Sequence, residues 1–171
     1  MTQVYPMHPD DEKMLLPIRR YLIGYRITNG WTQADLGKKL GGGVFTLESG
    51  DFNWHLSRLQ QWVLPFGMRL VATPLFDQHE TFQADPRVSP LWDLANNSPQ
   101  WPMWQRAYLT SYLKVAREMQ GISPQQLGNK LGITAKALRN WEAEADDVML
   151  AKILSHARAL GGRIHMEVVD A

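Results

Sequence analysis

With 171 residues, 44% of them hydrophobic, and a formal net charge of +1, the chain has the size and apolar content of one ordinary globular domain or two small ones. It has no cysteine, which excludes disulfides, thiolate zinc sites and cysteine nucleophiles. No run of about 18 apolar residues reads as a membrane span, and Met1 to Asp10 lacks the basic-then-apolar layout of a secretory leader, so the expectation is a cytoplasmic chain without a membrane partner.

In chain order, an apolar run near Leu15 is interrupted by Pro17, which predicts a first helix that begins or kinks there. Thr32 reads as the cap of a second helix, Leu56, Leu59, Val63 and Phe66 as the stripe of a fourth, and "MRLVAT" as a strand. Pro74 to about Pro102, rich in Pro, Asn, Asp and Gln, reads as a linker anchored by Trp92, Trp101 and Trp104. Beyond it, Tyr108, Tyr112, Val115 and Met119 recur at helical spacing, and Ser123 followed by Pro124 is an N-cap with proline at the first helical position. Gly132 ends that short helix in a tight turn, and Thr134 caps the next to about Glu142. Val148, Leu150, Ile153, Leu154, Ala157 and Leu160 form a last helical stripe before the strand "RIHMEVV".

The element order repeats because the sequence repeats. "YLIGYRITNGWTQADLGKKLG" from Tyr21 aligns with "YLKVAREMQGISPQQLGNKLG" from Tyr112 without a gap, at an offset of 91. Downstream, Glu48, Leu56, Gly67 and Arg69 match Glu142, Leu150, Gly161 and Arg163 at an offset of 94, so the first copy lacks three residues between Gly41 and Glu48. Charge repeats too. Lys13 to Leu47 holds six basic residues against Asp35, and Arg106 to Asn140 six against Glu118, a local net of +5 each. The acids gather at Glu142, Glu144, Asp146 and Asp147, and at Asp77, Glu80, Asp85 and Asp93. Basic segments followed by acidic ones suit a one-sided phosphate-binding surface.

In the second copy, "SPQQLGNKLGITAKALRNWEAE" resembles the helix-turn-helix of the Xre/Cro-type repressor family through Leu127, Gly128, Gly132, Ile133, Thr134, Leu138 and Glu142. The spacing has a physical reason: Gly132 supplies a left-handed turn, and Leu127, Ile133 and Leu138 lock two helices so that one face of the second can enter a major groove. The resemblance implies a mainly α chain of two tandem helix-turn-helix domains, each of about four helices and a short strand: residues 1–73, a linker 74–102, and 103–171. It implies a sequence-specific regulator of double-stranded DNA, a repressor by family habit, and more weakly a phage or mobile-element origin.

Thr134, Ala135, Lys136, Arg139 and Asn140 are then the candidate base-facing set, since Arg or Lys can pair with guanine, Asn with adenine, and Ala can pack on a thymine methyl. Ser123, Gln125 and Gln126, with Arg117, are candidates for phosphate. In the first copy, counting back from Glu48 pairs Phe45 with Arg139 and Thr46 with Asn140, which puts the loss on the turn and tip of the helix, a shortening of about 4.5 Å. Gly41, Gly42 and Gly43 replace that tip and permit close backbone approach to a phosphate. The first copy is thus expected to grip the backbone through Arg26, Thr32, Gln33, Lys38, Lys39 and Gly43, with readout limited to Phe45 and Thr46.

No cofactor or metal site is expected: the five histidines lack zinc spacing, and no nucleophile elbow or phosphate loop appears, so an enzyme is not expected. Trp31, Trp62, Trp92 and Trp141 read as packing residues. One chain with two heads favours a monomer on an asymmetric site, while an exposed strand edge leaves a dimer through the strands open. The other reading, from a different class, is a protein-interaction or antitoxin-like scaffold in which at least one helix-turn-helix no longer binds DNA.

Overall fold

The computed structural model describes residues 6–76, 100–143 and 147–170. Trp92, His79 and the acids Asp77, Glu80, Asp85, Asp93, Glu144 and Asp146 lie outside them. Eight α-helices and two strands are present among the described residues: α1 (Pro9–Thr28), α2 (Gln33–Leu40), α3 (Val44–Glu48), α4 (Leu56–Val63), β1 (Met68–Leu75), α5 (Trp101–Met119), α6 (Pro124–Leu131), α7 (Ala135–Ala143), α8 (Leu150–Ala159) and β2 (Arg163–Asp170). A 3-10 turn, Leu64–Phe66, joins α4 to β1.

α1 starts at Pro9, capped by His8, and continues through Pro17. The expectation that it begins at the proline is corrected; Leu15, Ile18 and Leu22 bury one continuous stripe across that position. In α5 the core face is Gln105, Leu109, Leu113 and Ala116, whereas Val115 and Met119 are exposed. The stripe expected there lies about 100° away around the helix, where Trp104 stacks on Tyr108 at 5.6 Å and Tyr108 meets Tyr112 tilted at 6.2 Å.

Residues 77–99, most of the expected linker 74–102, lie outside the described residues; at its two ends and between the repeats the chain is continuous structure. Pro74 and Leu75 belong to β1, Trp101 and Pro102 open α5, and β1 pairs antiparallel with β2, so the strands of the two repeats join within one chain. The buried side chains of both repeats form one cluster, from Leu15 and Trp62 to Leu113 and Met166. Gln60 reaches from α4 to Gln105 on α5, which in turn donates to the Leu70 carbonyl of β1; Arg158 on α8 holds Asp11 on α1 at 2.7 and 2.9 Å.

The pairing has an internal symmetry. Ala72 faces Met166 and His55 bridges to Met149, and each pair is separated by 94, the offset of the downstream repeat. Around the bridge the backbone bonds are reciprocal: Leu56 N donates to Val148 O and Leu150 N to Trp54 O. Antiparallel partners in which equivalent residues face each other are related by a local twofold, so the repeats meet as the halves of a dimer would.

Candidate nucleic-acid interface

Each repeat positions its short helices with the same buried ion pair. Arg26 donates from Nε and Nη2 to the two carboxylate oxygens of Glu48 at 2.5 and 2.9 Å and from Nη1 to Trp31 O; Arg117 does the same to Glu142 at 2.7 and 2.9 Å and to Ile122 O. The arginines are 9% and 6% exposed. Buried and bonded through all three guanidinium nitrogens, Arg26 and Arg117, expected among the phosphate contacts, tie α1 to the end of α3 and α5 to α7. The Glu142 hydrogen bonds raise the Arg117 pKa against the opposing effect of burial.

Equivalent backbone bonds fix where the three residues are missing. Gly42 N to Gly37 O matches Ile133 N to Gly128 O, and Leu47 N to Gly43 O matches Leu138 N to Thr134 O, all at an offset of 91. Leu47 and Leu138 are both buried. α3 therefore starts in register with α7 and ends early, at five residues against nine. The helix keeps its tip and loses its trailing turn, so the pairing counted back from Glu48 is corrected: Phe45 stands where Lys136 does, Thr46 where Ala137 does, and Gly43 where Thr134 does. Arg139, Asn140 and Trp141 have no counterparts in α3.

The glycines have a structural task as well. Gly41, Gly42 and Gly43 all adopt positive φ, at 74°, 95° and 74°. Arg58 donates to Leu40 O at 3.0 Å and to Gly42 O, and a Cβ on Gly43 would meet its guanidinium at 2.5 Å. The turn is thereby pinned to α4.

On α7, Lys136, Arg139 and Asn140 are exposed, Ala135 is half-buried, and Thr134 caps the helix by accepting from Ala137 N at 3.0 Å. The neighbouring caps differ between repeats. Ser123 and Gln126 form a neutral reciprocal box at the start of α6, and Gln125 bonds Asn129. At α2 the box is Thr32 with Asp35, and bonds from the Thr32 side chain and backbone, with Lys38 adding less, lower the Asp35 pKa. Gln33 donates to Glu48 at 2.8 Å, and Lys39 lies 4.9 Å from the Trp31 ring centroid. The first repeat therefore presents a carboxylate where the second presents an uncharged helix start.

Burial trims the basic segments equally. Lys13, Arg20, Lys38 and Lys39 are exposed in the first, and Lys114, Lys130, Lys136 and Arg139 in the second. Arg19 is held by the Gly50 and Asp51 carbonyls, and Arg106 by Gln60. No protein-family model, no curated protein and no solved structure matches the chain.

Proposed function

We propose that the chain is a sequence-specific regulator of double-stranded DNA, a repressor, carrying two unlike helix-turn-helix heads whose recognition helices are α3 and α7. The observation that carries this reading is the combination of exposed Lys136, Arg139 and Asn140 with a buried Arg117–Glu142 pair that holds α7 in place. Guanidinium, ammonium and carboxamide groups are the usual major-groove readers of guanine and adenine. The local twofold between the repeats supports one chain acting as a ready-made dimer on two inverted half-sites of unlike sequence.

The test is selection from a random duplex pool, repeated over a salt series, with Arg139→Ala beside wild type. The expected outcome is one motif of two inverted, non-identical halves, blurred at defined positions of one half by Arg139→Ala, with affinity falling steeply as salt rises. Weak, motif-free binding even at low salt would mean that the exposed faces of α3 and α7 serve a protein partner instead.

A further inference from the structure

Resting on that DNA reading, we infer that the first head selects thymine, by packing the Phe45 ring on the thymine 5-methyl group. The argument begins with what α3 can offer. Of its five side chains, Val44 and Leu47 are buried in the core, and Glu48 is bound by Arg26 and Gln33. The Thr46 hydroxyl donates to Gly43 O at 2.8 Å. Phe45 remains, 70% exposed, at the position that Lys136 holds in the other head. A helix presenting a phenyl ring at its tip, its one polar exposed side chain bonded back to its own turn, reads by apolar contact. Among the four bases only thymine places an apolar group in the major groove.

The backbone that carries the ring is also held in advance. Ser49 Oγ donates to Phe45 O at 2.5 Å, Trp54 Nε1 to Thr46 O at 3.4 Å, and Arg58 fixes the preceding turn through Leu40 O and Gly42 O. Binding therefore orders little new backbone, and a rigid aromatic loses less on contact than a long flexible cation such as Lys136 would. The two heads divide the work by chemistry: charge and hydrogen bonds in α7, apolar contact in α3.

The experiment replaces thymines of the selected duplex one at a time by uracil, which deletes the methyl and leaves pairing intact. With wild-type protein, one or two positions in a single half-site should lose affinity by about fourfold each, the factor expected for removing one buried methyl. In Phe45→Ala, whose exposed site makes loss of folding a minor concern, those positions should become indifferent to uracil, while the other half-site keeps its full response to base changes. Uracil effects that are absent in wild type, or equal in wild type and Phe45→Ala, would overturn the thymine inference and leave the DNA reading standing. Failure of wild type to select any motif would remove both.

Discussion

A buried imidazole shows how closely the second repeat is packed. His156 is 1% exposed, stacks on Trp141 at 4.2 Å, and among the described residues neither ring nitrogen has a hydrogen-bond partner. Burial, then the charges of Lys152 and Arg117, push its pKa down to about 3 from 6.5. The folded chain keeps the ring neutral where the unfolded chain takes a proton. Its contribution to stability is therefore fully present above pH 6.5 and is lost as the pH falls toward 3, by up to about 1.4 kcal/mol per unit. Urea midpoints measured between pH 4 and 7 should drop with acid in wild type and flatten in His156→Phe; parallel profiles would show that another group controls the slope. The histidines lack zinc spacing in the sequence, but nothing there marks this ring as the buried one.

At the level of elements, the helix starts of α2 and α6 differ in electrostatics. A phosphate approaching α6 meets a neutral cap, whereas one approaching α2 meets the ionised Asp35. Asp35→Gln, which copies the Ser123–Gln126 box, should strengthen binding to duplexes of every sequence by about two- to fivefold at low salt, on the scale of a helix-terminus charge interaction. Fluorescence anisotropy with selected and scrambled duplexes would check this, and an effect confined to the selected duplex would point to base contact instead. The caps themselves were legible, because Thr32 and Ser123 sit at fixed positions before periodic apolar runs. The start of α3 was not. Glu48 aligns with Glu142 because both must reach a buried arginine, yet the backbone absorbs the missing residues after Leu47, and a one-dimensional alignment anchored on the glutamate pushes the gap toward the turn.

For the molecule as a whole, the joined strands and the shared core predict cooperative behaviour. Unfolding should follow a single transition with coincident midpoints from Trp fluorescence and from amide exchange in each repeat, and residues 1–76 alone should not fold, since β1 and the core face of α4 would lose β2, Gln105 and Leu113. Two separable transitions would instead favour autonomous repeats. The sequence also left the oligomeric use of the strands open; pairing of β1 with β2 inside the chain places the local twofold within one molecule.

What the sequence determined by itself was periodic and local: mainly helical structure, the repeat with its three missing residues, the glycine turns, the capping residues and two strands. These follow from backbone preference and from spacings of a few residues. Tertiary structure decided which cations face solvent and which are spent on positioning, since Arg26 and Arg117 look no different in sequence from Lys38 and Lys136 until a buried glutamate is brought beside them from 22 or 25 residues away. It also decided that the repeats share one core, because pairing between residues 94 apart depends on how the whole chain folds back and not on any neighbour in sequence.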